Sequence, residues 1–173
     1  QQLNFTLTAP NREKNYFLDP QVLEKVDRFE QELLANPHVM NSISFPSYLK
    51  HLNRVITGDY TIPKTRGLIL LLARYINTIS ATRSGDNSFL SVIANEDFSQ
   101  LTVNFRVYDL EGSHYLFEDE LSVLAEKVYR DAERLLPTNI EGELWGNSLR
   151  FLSVTRIVNR DQRISLLISF LLI

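Results

Sequence analysis

The feature that most constrains the fold is a strict alternation of residue types in the second half of the chain. From Leu101 to Val107 every second residue is apolar, and the residues between are Thr, Asn and Arg. Successive side chains of a β-strand point to opposite faces, so this pattern predicts a strand with one face in a core. Residues 3–8 repeat the pattern in the sequence LNFTLT. The two strands predict a sheet with one apolar face, which helices should cover.

The first helix is expected between residues 19 and 36. Asp19 and Pro20 open it, because Asp is a favoured N-cap residue and Pro is favoured at the first helical position. The apolar residues that follow recur at i, i+4, i+7 and i+11 and form one stripe, which comprises Val22, Val26, Phe29 and Leu33. Pro37 should end the helix before a strand over residues 39–44.

The C-terminal half predicts a second helix and a further strand. Residues 118–120 are acidic, which suits the positive end of a helix dipole, and an apolar stripe continues to Leu135. Pro137 closes this helix. Residues 140–144 then indicate a strand, and a last helix is expected to run toward the apolar end of the chain.

Two helices and one strand are predicted between residues 46 and 94. Residues 46–57 resemble a short helix, and Gly58 ends it. Residues 68–79 are apolar nearly all round, which predicts a helix buried on every side. Residues 89–94 alternate weakly and are read as a strand, with a hairpin-length connection to the strand that starts near residue 101.

The order of these elements defines the expected fold class. It runs strand, helix, strand, helical insertion, strand, strand, helix, strand, helix. Without the insertion this order approaches the split β-α-β arrangement of ferredoxin-like folds, with helices on one face of a mostly antiparallel sheet. We therefore expect an α+β domain over residues 1–163, with a helical insertion at about 46–80.

Composition excludes several functional classes. The 173 residues include no cysteine, which removes zinc ribbons, thiol catalysis and disulfide scaffolds. The net charge of −3 is dispersed, with no basic stripe for nucleic acid. The three histidines, His38, His51 and His114, have no partner at metal-ligand spacing. Neither a Gly-rich phosphate loop nor a nucleophile motif occurs, so we expect no catalytic residue, no metal and no cofactor.

Residues 164–173 are the most hydrophobic segment of the chain. Only Ser165 and Ser169 interrupt a run of Ile, Leu and Phe. Ten helical residues span about 15 Å, which is half of a bilayer core. We interpret the segment as the first half of a membrane helix that is cut off at Ile173; the alternative is a buried C-terminal helix of the core.

Apolar residues around the inserted short helix are candidates for a binding role. They could line a path for a hydrophobic substrate, and they are Phe45, Tyr48, Leu49, Leu52 and Tyr60. The alternative for each side chain is that it caps the core beneath the insertion, which is the usual fate of such residues.

Several short motifs resemble a known family. They are DPQVLEKV at 19–26, NPHV at 36–39, SIS at 42–44 and YLK at 48–50. In this order they resemble the first large loop of resistance-nodulation-division (RND) superfamily exporters, in particular the MMPL-like branch. The end of the chain is similar too, with a strand finishing at Gly146, a helix through Ile157 and Val158, and Asp161 before the apolar run. Residues 61–87 are the least family-like part.

The resemblance implies a function without catalysis. Such exporters use the proton gradient to move hydrophobic or lipid-like molecules, and they lie in the bacterial inner membrane. This chain would be a porter domain that faces the periplasm, contributes to the substrate path and moves as a rigid body between access states. Its implied partners are the other porter domain and the transmembrane helices of the same polypeptide, the membrane and the substrate. The proton-relay acids of the family lie in membrane helices, and residues 164–173 contain no charge.

Two other functional classes remain open at this point. The first is a stand-alone soluble interaction module that dimerises through its apolar C-terminal helix. Such a helix should carry an apolar stripe, whereas residues 164–173 are apolar on nearly every side. The second is a small-molecule-binding or enzymatic domain, which would need a polar cluster converging in a pocket.

Overall fold

A computed structural model describes residues 1–84, 90–109 and 116–150 of the chain. The strands are β1 (Gln2–Thr8), β2 (Val39–Ile43), β3 (Gln100–Val107) and β4 (Glu141–Trp145). The helices are α1 (Pro20–Leu34), α2 (Phe45–Thr57), α3 (Arg66–Ser84), α4 (Leu90–Ile93) and α5 (Glu118–Leu135). Two 3-10 turns, Pro10–Arg12 and Tyr16–Leu18, connect β1 to α1.

The four strands form one antiparallel sheet in the order β2-β3-β1-β4. The alternating segments β1 and β3 are its two central strands, and Phe5 lies opposite Val103 on one side and Leu144 on the other. The predicted α+β class with an antiparallel sheet is therefore confirmed. The shorter strands β2 and β4 form the edges.

The apolar face of the sheet packs on α1 and α5. Leu3, Phe5 and Leu7 of β1 point to this face and are fully buried. The ring of Phe5 lies 5.2 Å from that of Phe29 in α1 and 5.7 Å from that of Tyr129 in α5. Aromatic rings at such distances add to the burial energy, so Phe5 joins all three elements.

One glycine is required where β4 passes this core. A Cβ atom on Gly142 would lie 2.5 Å from Cζ of Phe5, which is far inside van der Waals contact. The strand can therefore pass over the Phe5 ring only with glycine at this position. The predicted strand at 140–144 is confirmed, and its small residue serves packing.

The start of α1 follows the sequence prediction. The Asp19 side chain accepts hydrogen bonds from the backbone N–H groups of Gln21 (2.8 Å) and Val22 (3.4 Å). The helix turns its apolar stripe inward, and its buried residues are Leu23, Val26, Phe29, Glu30 and Leu33. The predicted stripe is confirmed except that Val22 is only partly buried and Glu30, a charged residue, shares the buried face.

The inserted elements α2, α3 and α4 lie between β2 and β3, and two predictions here are wrong. Leu90–Ile93 is a helical turn rather than part of a strand, because Ala94 N–H bonds back to the Leu90 carbonyl; only Ala94 then makes an isolated bridge, to Leu101. The helix α3 is not buried on every side, since Leu71 and Tyr75 are exposed. One face of α3 lacks a cover among the described residues.

The end of the described chain continues from β4 into residues 147–150, which begin a helical segment. The predicted remainder of this helix and the apolar segment 164–173 lie outside the described residues. Within the described ranges, we find no helix with the length and hydrophobicity needed to cross a bilayer.

Candidate functional site

The five candidate residues around α2 differ in their access to solvent. Phe45 and Leu49 are fully buried in the core, and the Phe45 ring packs 5.4 Å from that of Phe98. Tyr48 and Leu52 are partly buried against the same core. Tyr60 is 45% exposed. Of the five side chains, Tyr60 is thus the most exposed, and Phe45 and Leu49 support α2 from below.

The position of Tyr60 is set by Asn53. The Nδ2 group of this buried residue donates to the carbonyl oxygens of Asp59 (3.1 Å) and Thr61 (3.0 Å), on either side of Tyr60. Two bonds from one amide hold the loop after α2 against the helix. The loop is able to turn there because Gly58 adopts a positive φ of 87°.

Tyr60 makes its own polar contacts with α2. Its hydroxyl lies 3.3 Å from Nε2 of His51, and the two rings meet edge to face at 5.0 Å. The Lys50 ammonium group lies 5.1 Å from the centre of the Tyr60 ring, within the range of a cation–π contact. The ring is therefore held with one face toward a cation.

Lys50 also connects α2 to α1. Its Nζ atom lies 2.5 Å from Oδ1 of Asp27, and both side chains are largely buried. A buried ion pair costs desolvation energy, and removal of one partner alone is strongly destabilising. The pair therefore fixes how the insertion is attached to the sheet and its helices.

A second carboxylate beside this pair is Glu30, whose residue is 1% exposed. Its two oxygens accept hydrogen bonds from the hydroxyls of Ser42 (2.6 Å) and Ser44 (2.5 Å). Desolvation by burial raises the pKa of Glu30, and the nearby Asp27 carboxylate raises it further. The serine bonds and Lys50 oppose this shift. The group is closed to solvent, so its contacts join α1, β2 and the start of α2.

Sequence reasoning missed Glu30 although a signal was present. The residue lies four positions after Val26 and three before Leu33, on the face of α1 that turns inward. A charged residue on an apolar face predicts polar partners from the facing elements. Those partners, Ser42 and Ser44, lie in the SIS motif at 42–44.

The insertion also exposes apolar side chains. They lie on α2, on the loop after it and on α3, and we refer to them as the insertion surface: Val55, Ile56, Tyr60, Leu71 and Tyr75. Val55 is the most exposed of them, at 82%. Exposed apolar side chains also occur elsewhere among the described residues, for example Phe117 and Val123, so exposure alone does not assign a binding role to this surface.

The histidines are separated in the fold. His38 Nδ1 lies 3.2 Å from the Tyr108 carbonyl oxygen, and His51 contacts Tyr60. His114 lies outside the described residues. Across residues 1–84, 90–109 and 116–150, no three His, Asp or Glu side chains are grouped as metal ligands would be.

Comparisons with family models, with curated proteins and with solved structures found no match to this chain.

Proposed function

We propose that the chain is the extracytoplasmic porter domain of a proton-driven RND-type exporter of hydrophobic or lipid-like molecules. In this proposal the domain faces the periplasm of a bacterial inner-membrane protein. It provides part of the substrate path and moves against the second porter domain of the same polypeptide. It carries no catalytic residue.

The finer fold of this proposal is the ferredoxin-like split β-α-β arrangement with a helical insertion. Support comes from the strand order, because β3 lies between β1 and β2, the two strands that α1 connects. The strand β4 follows α5 and pairs with β1 on the opposite side from β3. A split β-α-β unit places a third strand between its two strands in this way.

The observation that carries the proposal is the position of β1 and β4, the first and last strands among the described residues. They are antiparallel neighbours, with Asn4 opposite Trp145, so β1 starts and β4 ends at the same edge of the sheet. The approach is close: a Cβ atom on Gly146 would lie 2.9 Å from the Gln2 carbonyl oxygen. A domain inserted between two consecutive membrane helices is joined to both on one side, and β1 and β4 bring its first and last described strands to one side of the sheet.

The sequence after residue 163 supplies the second support. Residues 164–173 are apolar on nearly every side, as the start of a membrane helix would be. In this proposal the insertion surface contacts an apolar substrate or a neighbouring porter domain, and Tyr60 is the most exposed member of the predicted substrate path.

Topology in the full exporter tests the proposal. The chain has no cysteine, so a Lys64→Cys substitution in the exposed loop before α3 introduces one thiol into this domain. In a full-length protein that is otherwise free of cysteine, a membrane-impermeant maleimide should label this thiol from the periplasmic side of intact inner membranes.

An Ala73→Cys variant is the matched control. Ala73 is buried in α3, so its thiol should react only after denaturation. If the Lys64→Cys thiol reacts only when the cytoplasmic side is opened, the exporter assignment is wrong. The soluble interaction module would then become the assignment to pursue.

A further inference from the structure

The face of the sheet opposite α1 and α5 is polar. The even-numbered residues of β1 and β3 lie opposite one another on this face, with Asn4 against Asn104 and Thr6 against Thr102. The two threonine hydroxyls share a hydrogen bond of 3.2 Å. This face offers amide and hydroxyl groups where the other face offers apolar side chains.

A cavity of about 420 Å³ lies on this polar face, between the sheet, α4 and the start of the 147–150 helix. Its volume is within the range of small-molecule sites. The polar side chains that define its chemistry are those of Gln2, Asn4, Thr102, Asn104 and Asn147. None of the described residues that line it is ionisable.

One wall of the cavity is the side chain of Trp145. Its indole N–H donates to the Thr6 hydroxyl at 2.8 Å, which fixes the ring against the sheet. The indole has no other polar atom, so its remaining surface presents an aromatic plane. Trp145 is partly exposed, and a ligand in the cavity can reach that plane.

Asn104 and Asn4 contribute side-chain amides to the wall of the cavity. Asn104 donates from Nδ2 to the Val92 carbonyl oxygen (3.2 Å), which fixes the amide and holds α4 in place. Asn4 is 7% exposed, and its Oδ1 accepts a weak bond of 3.4 Å from Gln2. Its Nδ2 group donates to no described residue. This donor is therefore free to bond to a ligand in the cavity.

We propose that this cavity binds a neutral saccharide. A sugar ring offers hydroxyl groups to amide and hydroxyl side chains along its edge, and an apolar C–H face that packs on an aromatic plane. The cavity combines these two features and lacks the fixed charges that an ionic ligand would need. Its walls are polar and apolar in about equal measure, whereas the insertion surface is formed by apolar side chains.

The charges around the cavity disfavour phosphorylated ligands. Glu143 and Glu141 of β4 lie opposite Thr6 and Thr8, on the same polar face. Arg106 lies opposite Gln2 at the end of β3 and is not among the lining residues. None of these ionisable side chains is among the described residues that line the cavity, so no fixed positive charge faces an anion there.

Trp145 provides a direct readout because it is the one tryptophan of the chain. Maltose is the probe, titrated into the 173-residue chain while the intrinsic fluorescence is recorded. We expect a saturable change with a dissociation constant on the order of 1 mM, which is weak binding. Asn4→Ala and Asn147→Ala should each weaken binding about five- to tenfold, since each removes one hydrogen-bonding side chain.

The two variants protect the test against misfolding. Asn4 is buried and its loss could disturb the sheet, whereas Asn147 is exposed at the start of a helix. Thr8→Val is the matched control, because Thr8 lies on the same face of β1 but outside the cavity, and it should bind maltose as the unchanged chain does.

Three results would overturn the saccharide proposal. They are a fluorescence change that glycerol reproduces at equal mass concentration, a response that both asparagine variants retain in full, and tighter binding of glucose 6-phosphate than of maltose. The proposal goes beyond the porter function and does not depend on it, since maltose binding needs no membrane and the labelling experiment needs no sugar.

Discussion

Two regions of the molecule differ in how they bury apolar residues. The first is the sheet with α1 and α5, and the second is the pair of inserted helices α2 and α3. In the first region the apolar side chains of β1 and β3 are buried to the last atom or nearly so, and the polar ones face away. In the second, α2 and α3 bury one side each and leave Val55, Leu71 and Tyr75 exposed. Apolar exposure is not confined to the second region, since Met40 of β2 and Val123 of α5 are exposed as well. The two regions therefore differ in the complete burial of the central strands rather than in the character of their surfaces.

The difference also shows in how the two regions are held. Phe5 connects β1 to both α1 and α5 through ring contacts. The insertion packs in the core through Phe45 and Leu49 but adds buried polar attachments, namely the Lys50–Asp27 pair and the bond from Ser44 to Glu30. Apolar contacts tolerate changes of pH, but a buried carboxylate does not. The attachment of the insertion should therefore respond to conditions that leave the sheet intact.

The largest effect is expected from Phe5→Ala. The substitution removes a fully buried ring that contacts three elements, and it should lower the free energy of unfolding by about 3–5 kcal/mol. Urea unfolding followed by circular dichroism measures the loss. A loss below about 1 kcal/mol, the size of an average substitution, would mean that this region is not the stable core that the comparison requires.

Gly142→Ala tests the packing around Phe5 by adding an atom next to its ring. The added Cβ would lie 2.5 Å from Cζ of Phe5, and such overpacking costs about 1–3 kcal/mol. Gly67→Ala in α3 is the matched control, because its Cβ would meet nothing within 4 Å and alanine favours a helix by up to about 1 kcal/mol. Equal changes in the two variants would contradict the requirement for glycine in β4.

The pH dependence of stability tests the polar attachment of the insertion. Burial raises the pKa of Glu30 above its ordinary value. The folded state therefore binds the proton more tightly than the unfolded state does. The resulting stability is fully present below the unfolded pKa and is lost as the pH rises through the higher folded pKa. Glu30→Gln should remove this fall, which urea midpoints across the acidic range would measure.

Asp97 provides the opposite case for that measurement. Hydrogen bonds from the Ser99 hydroxyl and backbone N–H lower the pKa of Asp97. Its contribution is present above the unfolded pKa and is lost as the pH falls through the lower folded pKa. Asp97→Asn should therefore change only the more acidic end of the profile.

A Glu30→Gln variant with the same profile as the unchanged chain would disprove the role given to Glu30.

The smallest effect is expected from Val55→Ser on the insertion surface. Val55 is almost fully exposed, so its replacement should change the free energy of unfolding by less than about 0.5 kcal/mol. Self-association of the chain, measured by analytical ultracentrifugation, should fall if this surface is adhesive. A destabilisation comparable with that of Phe5→Ala would show that Val55 is part of a core.

The regular part of the fold is readable from the sequence because its periods are unambiguous. Alternation defines β1 and β3, and a capped 3.6-residue period defines α1 and α5. The insertion was harder, since short apolar runs suit a strand and a buried helix equally. The pattern of residues 89–94 therefore predicts a strand, whereas Leu90–Ile93 forms a helical turn closed by the Ala94 N–H bond to the Leu90 carbonyl.

The functional features were less predictable for a related reason. Burial of Phe45 and Leu49 and exposure of Tyr60 depend on how α2 is oriented, and a list of apolar residues carries no orientation. The polar cavity brings β1, β3, α4 and residues 145–147 together from distant parts of the sequence. In the sequence, the Asn and Thr residues of these strands look like the polar, outward-facing residues that any half-buried strand carries. They therefore do not indicate a cavity.

The antiparallel pairing of β1 with β4 has a mechanical consequence. A force that separates the start of β1 from the end of β4 would load their ladder one residue pair at a time, beginning with Asn4 and Trp145. Hydrogen bonds that break one after another resist a pulling force less than bonds that must break together. A force that moves both ends together loads no single pair, and the sheet turns as one piece. The described sheet should therefore yield when the start of β1 and the end of β4 are pulled apart. It should stay intact when both are moved in the same direction.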